Sequence, residues 1–335
     1  MQAYILKSNP GARFRFGETL GAYPEEQSNT QKTTSDYLHS DTLWSALVNM
    51  WALCSPQTVE QFITECKTGQ FKLSSAFYCV EYKGENIFFL PKPVSLNLFT
   101  IKDPKKLKKV QLISKGVWEK GLLPEDWFEP KQCTLLQNGS TVALTSEIEE
   151  SVSIFSIETN PKVRARNLQE RENSFFYQTD LCLSHGGNHK VYWYFLVQNN
   201  LSACLHKDFE KAMQAMINFG IGGERSSGCG ALTAYTEIQL DITPDAASKY
   251  SCSVSLTAPI EKEITEHALY QTIKRGGRFL EHGKCLPVIQ MLREGAVFDA
   301  EVAGKIVTLR HDPPVLRYGL NLSIPLHNNF IDKKL

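Results

Sequence analysis

An α+β fold is predicted by three features of the sequence. Short apolar segments typical of β-strands alternate with two segments in which apolar residues recur with helical period. The chain of 335 residues is too long for one small domain and suits two domains, or one domain with large insertions. Hydrophobic residues make up 42% of it and charged residues 21%, which is ordinary for a folded, soluble protein.

The N-terminal part begins with a predicted strand and a predicted helix. The strand is the apolar run at residues 3–6, and the polar, glycine-containing residues 8–36 after it predict a long loop. Ser40 or Asp41 can cap the helix that follows. The buried face of this helix is indicated by apolar residues at helical spacing, namely Leu43, Trp44, Leu47, Val48 and Trp51.

The middle of the chain predicts a hairpin and then a run of five segments. The hairpin joins residues 71–80 to residues 86–90. The run consists of a strand, a second strand, an amphipathic helix, a glycine-rich segment and a last strand, at residues 174–183, 191–197, 209–217, 219–230 and 231–240. Large apolar side chains occupy both faces of the second strand, so we expect it to be buried on both sides.

The order of these elements predicts the connectivity. With the early strand and helix in front, the run from 174 to 240 completes the order β-α-β-β-α-β, which is that of ferredoxin-like folds. Residues 54–173 would then be a large insertion after the first helix. Strand patterns resume near residue 250, so we expect one domain at 1–240 and a second, β-rich domain at 245–335.

The strongest functional signal is the segment at residues 219–230, which holds five glycines. Successive bare N–H groups can form a concavity that binds anions, and Arg225 adds a planar fork suited to phosphate. Because the glycines follow a helix and precede a strand, the segment is neither a P-loop nor a dinucleotide fingerprint. Its chemistry predicts phosphate binding, and a tight connector packed on the sheet is the alternative.

Three other groups of residues are candidates for contact with RNA. His39 and Ser40 lie at the predicted helix start, where free N–H groups can meet phosphate. Arg164 and Arg166 belong to a basic cluster before the strand at 174. A third segment combines bare backbone with basic side chains, and it consists of Lys274, Arg275, Gly276, Gly277 and Arg278.

Charge and cysteine content narrow the class of protein. The 36 basic and 36 acidic side chains cancel, which argues against non-specific nucleic-acid binding but leaves room for a local basic groove. Five lysines crowd between residues 102 and 109, and such a run is usually a solvated face. The nine cysteines form no C-x-x-C pair, so we expect reduced thiols, no metal and no cofactor. No signal peptide or membrane-spanning stretch is visible, so we expect a cytoplasmic protein.

Three separated segments together resemble one family. A glycine-rich loop between the second helix and the fourth strand of a ferredoxin-like domain is the hallmark of the RAMP (repeat-associated mysterious protein) superfamily of CRISPR systems. Residues 219–232, FGIGGERSSGCGAL, resemble that loop in the fourth subunit of the type III-A Csm interference complex. Residues 39–47 resemble the start of the first helix of this family, and residues 310–319 resemble its closing segment. The resemblance implies two ferredoxin-like or RRM-like (RAMP) domains.

The resemblance also implies a role in antiviral defence. Such subunits hold the 5′ repeat-derived tag of the CRISPR RNA, dock the large polymerase-like subunit and contact the neighbouring backbone RAMP subunit. The resemblance implies that the residues of the glycine-rich loop contact RNA. They are Gly220, Gly222, Gly223, Glu224, Arg225, Ser226, Ser227 and Gly228. A carboxylate at Glu224 would repel phosphate, so we expect it to pair with Arg225 or to accept a bond from a base or a 2′-OH.

Two alternatives stay open. RAMP-type endonucleases that mature CRISPR RNA resemble this layout, and they need a general base and acid, usually His with Tyr or Lys. His39 is the best catalytic candidate among the eight histidines. The other alternative is a purely structural subunit whose glycine loop only packs against another subunit. Because no acid–base pair is recognisable in the sequence, we predict a non-catalytic RNA-binding subunit.

Overall fold

The structure of the protein is a computed structural model that describes residues 1–17, 34–164, 174–277 and 286–331. Its helices and strands are numbered in chain order. The helices are α1 Ser40–Cys54, α2 Val59–Lys67, α3 Pro104–Lys109, α4 Lys115–Lys120 and α5 Ala203–Phe219. The strands are β1 Gln2–Lys7, β2 Arg13–Phe14, β3 Phe71–Leu73, β4 Phe77–Tyr82, β5 Glu85–Pro91, β6 Leu112–Ser114, β7 Cys133–Leu136, β8 Thr141–Leu144, β9 Phe155–Arg164, β10 Ser174–Leu183, β11 His185–Gly186, β12 His189–Asn199, β13 Ala234–Gln239, β14 Ala247–Ser253, β15 Thr272–Arg275, β16 Ile289–Leu292, β17 Val297–Phe298, β18 Val307–His311, β19 Pro314–Arg317 and β20 Ser323–His327.

The central sheet joins the first and last elements of the N-terminal part. Its strands lie in the order β13-β1-β12-β4-β5-β6-β8-β7. β1 pairs antiparallel with both β12 and β13, and β12 pairs antiparallel with β4. Helices α1 and α5 contact each other and bury apolar side chains such as Trp44 and Phe209, and the ring of Phe209 meets that of Tyr4 edge-on at 5.6 Å. The chain order β1-α1-β4-β12-α5-β13 is therefore β-α-β-β-α-β.

The prediction that residues 174–183 form the second strand of this sheet is wrong. Strand β10 pairs with β9 along its whole length and with β2, in a separate three-stranded sheet. β4 instead lies beside β12, with Phe77 opposite Tyr194. The long insertion between the second and third strands of the order therefore spans residues 83–188 rather than residues 54–173.

Strands β4 and β10 differ in composition rather than in burial, since residues 178–183 of β10 are buried as well. Residues 77–80 of β4 are all buried, which suits a strand covered on both faces, whereas β10 carries Gln178 and Asp180. The hairpin predicted around residue 84 is confirmed as β4 and β5. Lys83 and Gly84 between them both have positive φ, as a two-residue turn of type I′ requires.

The residues after 245 form small antiparallel sheets, with the orders β17-β14-β20, β15-β16 and β18-β19. Residues 246–277 and 286–331 contain strands and no α-helix, so the two helices of an RRM-like unit are not among them. This part shares the core of the first part, since Trp44 of α1 stacks on Tyr318 with ring centroids 5.7 Å apart. The backbone N–H of Leu73 donates to the hydroxyl of Tyr318 at 2.8 Å. C-terminal residues can therefore contribute to a site built on α1.

Two properties of the described ranges bear on the protein's chemistry. All eight cysteines there are free and six of them are buried. Burial raises the pKa of the Cys66 thiol to about 12, so this thiol is a poor nucleophile at neutral pH. Within the same ranges the helices lack the length and apolar character that crossing a bilayer needs.

Candidate nucleic-acid interface

The glycine-rich segment is a tight loop between α5 and β13. Gly220 ends the helix with φ of 75°, and the backbone crosses itself where the N–H of Ile221 donates to the carbonyl of Gly230 at 3.0 Å. A Cβ on Gly230 would lie 1.9 Å from the carbonyl oxygen of Ile221. Only glycine fits this crossing. Residues 223–228 beyond it are exposed, and Arg225–Ser227 form one 3₁₀ turn.

The loop is pinned to the segment that contains β2. The N–H of Gly223 donates to the carbonyl of Arg15 at 2.9 Å, and the N–H of Gly230 donates to that of Arg13 at 2.6 Å. The rings of Phe14 and Phe16 are buried against Trp193, while the Arg13 side chain is 37% exposed. The alternation of arginine and phenylalanine at residues 13–16 therefore separates a core face from a basic face.

Arg15 is a site residue that the sequence reasoning missed, whereas the Arg13 side chain lies 3.9 Å from the carboxylate of Asp180. Two arginines alternating with two phenylalanines are the period-two signal that could have revealed a strand with one basic face. Within the part of the chain that the structure describes, Nη1 of Arg15 is shielded from solvent and has no hydrogen-bond partner. A buried donor without a partner is costly, so an acceptor from a ligand would stabilise it.

Arg15 and Arg225 line one cleft of about 280 Å³, which we call the glycine-loop cleft. Its other walls are Gly17, the glycines of the loop and the first turns of α1. The polar side chains that α1 contributes are those of Thr42, Ser45 and Asn49. Two guanidinium groups, open backbone and short polar side chains can together hold a phosphate and a ribose hydroxyl.

Glu224 is occupied within the loop. It adopts the left-handed conformation with φ of 56°, and its carbonyl accepts from the N–H groups of Ser227 and Cys229. The Ser227 hydroxyl donates to the Glu224 carboxylate at 3.4 Å. Among the described residues the carboxylate forms no ion pair with Arg225, so the guanidinium of Arg225 is not neutralised by its neighbour.

His39 and Ser40 are buried rather than presented to a ligand. The N-cap of α1 is His39, not Ser40 or Asp41, and its side chain caps no backbone group. Its Nδ1 lies 2.8 Å from Oε1 of Glu294, and the Ser40 hydroxyl accepts from the N–H of Leu256 at 2.9 Å. Ser40 therefore has a packing role. His39 borders a neighbouring cleft of about 330 Å³, but its side chain is 2% exposed and lies against Glu294. We do not retain either residue among the proposed RNA contacts.

Asp41 binds two arginines in a buried cluster. Its carboxylate accepts from Arg275 at 2.8 and 3.0 Å and from Arg317 at 2.6 Å, and the three side chains are 0–8% exposed. Burial alone would raise the pKa of Asp41, but the two guanidinium groups hold it well below its ordinary value. The cluster fastens α1 to the C-terminal strands β15 and β19.

Arg275 thus positions the cleft instead of facing it. Besides Asp41, it donates to the carbonyl of Gly17 at 3.3 Å, and Gly17 lines the glycine-loop cleft. Arg317 donates to the carbonyl of Gly276 at 2.7 Å. Because its guanidinium is buried and paired, we do not retain Arg275 among the direct RNA contacts.

The other residues predicted to contact RNA fall into three groups by their place in the structure. Lys274 is exposed and Gly277 is half-buried, beside the Asp41 cluster. Arg164 ends β9, opposite Ser174, in the three-stranded sheet. Arg166 and Arg278 lie outside the described residues. The structure therefore brings together the glycine loop, the start of α1 and the 274–277 segment.

In the described ranges no three His, Cys, Asp or Glu side chains are grouped so that they could hold a metal ion. His185 and His189, which flank a turn, are engaged locally. Their Nε2 atoms lie 2.8 Å from the carbonyl of Val191 and 3.1 Å from that of Ser153. The glycine-loop cleft is lined by backbone, guanidinium groups and short polar side chains.

Comparison with known proteins shows which proteins this chain is similar to. Residues 246–326 match the family model described as the CRISPR Csm4 C-terminal domain. The CRISPR system Cms protein Csm4 of Methanocaldococcus jannaschii is 26% identical, over 91% of this chain and 88% of that protein. The similarity to Csm4 is thus found in the C-terminal part by the family model and along most of the chain by this relative. The matched segment contains both arginines that bind Asp41, whereas the glycine loop lies before it.

Two solved structures share the fold of this chain. A chain in the Csm3–Csm4 subcomplex of the type III-A CRISPR-Cas interference complex aligns with a TM-score of 0.69 at 19% identity, covering 98% of this chain and 100% of that one. A chain in the Csm1–Csm4 cassette in complex with cA4 aligns with a TM-score of 0.57 at 17% identity, covering 98% of each chain. The shared fold therefore extends over nearly the whole length.

Proposed function

We propose that this chain is a non-catalytic Csm4 subunit of a type III-A CRISPR effector complex and holds the 5′ repeat-derived tag of the CRISPR RNA. The observation that carries the proposal is the convergence of Arg15, Arg225 and the exposed backbone at Gly223 on one cleft. Backbone N–H groups and guanidinium groups recognise phosphate without reading the base. Ser226 and Gly228, which are also exposed, extend the surface along the loop.

The proposal includes two protein partners. The matched structures are of a Csm3–Csm4 subcomplex and a Csm1–Csm4 cassette. By this likeness we propose that the chain contacts a backbone RAMP subunit and docks the large polymerase-like subunit, in the cytoplasm. Assembly with both would place the tag near the contacts between these subunits.

We also propose a division into domains. The strands β13-β1-β12-β4 lie in the order of a four-stranded ferredoxin-like sheet, and with α1 and α5 they would be the RAMP domain that carries the glycine loop. The second domain would span residues 245–335. The family match, which begins at residue 246, supports this boundary.

Replacing Arg225 by alanine tests the binding role. Removal of a charge-assisted hydrogen bond should weaken binding of 5′-tag RNA about tenfold, since such bonds contribute ~1.5–3 kcal/mol. The slope of log affinity against log salt should fall by about 0.7 for each phosphate that the variant no longer neutralises. Fluorescence anisotropy with the full chain over a series of salt concentrations measures both. Arg225→Lys keeps the charge but lacks the planar fork of the guanidinium, so its affinity for tag RNA should fall between those of the wild type and Arg225→Ala.

Lys131→Ala is the matched control, because it removes one exposed positive charge from the loop before β7. It should bind tag RNA as the wild type does. If Arg225→Ala binds no worse than Lys131→Ala, the glycine loop does not hold RNA and the structural-subunit alternative takes its place.

The endoribonuclease alternative has a separate test. The His39 side chain is 2% exposed and bonded to Glu294, a poor position for a general base that must reach a 2′-OH. Incubation of the full chain with repeat RNA in the absence of metal should therefore yield no cleavage at a defined position. Site-specific cleavage that disappears in His39→Ala would establish the endoribonuclease instead.

A further inference from the structure

A second cleft with a basic lining lies between the end of β5, helix α3 and the residues that follow β16. It has a volume of about 310 Å³, and we call it the basic cleft. Three cationic side chains line it, those of Lys92, Lys108 and Arg293. Neutral amide side chains, including those of Asn97 and Gln111, make up much of the remaining wall. The lining is polar, whereas a site for an apolar ligand would be mostly hydrophobic.

The carboxylate in this lining is already engaged. Glu294 is fully buried and accepts hydrogen bonds from the hydroxyls of Tyr37, at 3.3 Å, and Ser75. Nδ1 of His39 lies 2.8 Å from the same side chain. Burial alone would raise the pKa of Glu294, but His39 and the Ser75 hydroxyl hold it below its ordinary value. Glu294 thus serves its own network, and the cleft presents positive charge to a ligand.

Lys92 is the most unusual of the three cations. Its Nζ donates to the carbonyl of Leu107 at 2.7 Å, and burial lowers its pKa to about 8. In the described ranges no ion pair includes Lys92 or Lys108. A partly buried ammonium group is costly without a counter-charge, and an anion in the cleft would supply one.

The basic cleft is linked to the glycine-loop cleft through a neighbouring cleft of about 330 Å³. Tyr37 and Arg293 line both the basic cleft and this neighbouring cleft, which Thr34 also lines. Thr34 pairs with Gly17 in an isolated β-bridge, and Gly17 lines the glycine-loop cleft. These residues thus relate the three clefts as a series, which suits an extended strand rather than a compact ligand.

We propose that the basic cleft is a second phosphate-binding site, which takes a phosphate of the same RNA strand whose other end lies in the glycine-loop cleft. This inference rests on the proposed function. Lysine ammonium groups bind phosphate as point charges and do not read the base, so the site would fix the path of the strand. It also gives a role to Lys108, one member of the lysine run at residues 102–109.

The double variant Lys92→Gln/Lys108→Gln tests the proposal in the full chain. Its binding is measured with a series of 5′-tag RNAs shortened one nucleotide at a time from the 3′ end. We expect no loss with the shortest RNAs and about a tenfold loss once the strand is long enough to reach the basic cleft. Arg225→Ala should instead lose affinity at every length. Lys109→Gln, an exposed neighbour on α3 that does not line the cleft, is the matched control and should bind as the wild type does.

The outcomes separate this inference from the function on which it rests. Equal binding of the double variant and Lys109→Gln at all lengths overturns the second site, and so does an equal loss at all lengths, which would reflect the general field of the protein. An unchanged Arg225→Ala overturns the proposed function itself. A further outcome would also overturn the proposal. If the wild type binds free AMP, the double variant does not, and saturating tag RNA fails to displace the AMP, the basic cleft takes a free nucleotide instead.

Discussion

Asp41→Ala is expected to lower the free energy of unfolding by about 3–5 kcal/mol, because it removes the carboxylate that two buried guanidinium groups share. Arg275 is fully buried and Arg317 is 8% exposed, so water cannot replace the missing carboxylate at either. The variant should also loosen the attachment of β15 and β19 to α1. Denaturant unfolding of the full chain, followed by circular dichroism, measures the loss of stability.

The control for this substitution is Asp241→Ala. Asp241 is 76% exposed, and its carboxylate lies 3.7 Å from the N-terminal amine. Removing it should change the free energy of unfolding by no more than about 0.5 kcal/mol. If Asp41→Ala costs as little, the cluster does not hold the C-terminal strands to α1.

The same cluster makes a prediction about pH. The pKa of Asp41 is depressed in the folded state, so its contribution to stability is present above the unfolded pKa of about 3.9 and is lost as the pH falls toward the folded value. The difference in unfolding free energy between wild type and Asp41→Ala should therefore be constant near neutral pH and should narrow only below about pH 4. A difference that already narrows near pH 6 would contradict the depressed pKa.

Gly222→Ala is expected to cost about 2–4 kcal/mol of stability and to weaken tag-RNA binding as well. Gly222 has φ of 84°, and a Cβ there would lie 2.6 Å from the carbonyl oxygen of Arg15 and 2.9 Å from the ring of Phe16. Relieving that overlap moves the backbone that carries Arg15 away from the loop. Arg15 and Arg225 would then no longer face the same cleft. Unfolding and RNA-binding measurements on one protein sample report both effects.

Gly228→Ala serves as the control that separates two costs of Gly222→Ala. One is the contact of the new Cβ with Arg15, and the other is the left-handed backbone conformation. Gly228 has nearly the same φ, 85°, but a Cβ there meets nothing within 4 Å. This variant should cost only the conformational penalty of about 1–2 kcal/mol and should leave the position of Arg15 unchanged. Equal losses of stability and RNA affinity in the two variants would show that contact with Arg15 is unimportant.

Local periodicity was sufficient to predict several elements. The early strand, the helix from about residue 41, the buried strand with aromatic side chains on both faces and the amphipathic helix before Gly220 all appear, as β1, α1, β12 and α5. Each has a pattern that depends only on neighbours along the chain. The place of the glycine loop between helix and strand follows from the same patterns, as does the turn at Lys83 and Gly84.

Local periodicity could not predict which strands pair with each other or which charged side chains are buried. Strand β10 has a strong strand pattern, yet its partner is β9, because a pattern of period two does not name the strand across the ladder. Arg275 follows Lys274 in a segment that looks basic and open. The two side chains nevertheless lie in different environments. Arg275 is buried and bound to Asp41, 234 residues earlier in the chain, while Lys274 is exposed.

The glycine loop shows where the two kinds of information divide. Its composition, its arginine and its place after a helix in an α+β chain can be read from the sequence, because glycine content, capping and period are local properties. What the loop faces depends on the folded chain. Its partners are Arg13 and Arg15, more than 200 residues away, held there by two backbone hydrogen bonds and by the packing of Phe14 and Phe16. Contacts of that separation arise from the burial of side chains in a common core, which no local pattern records.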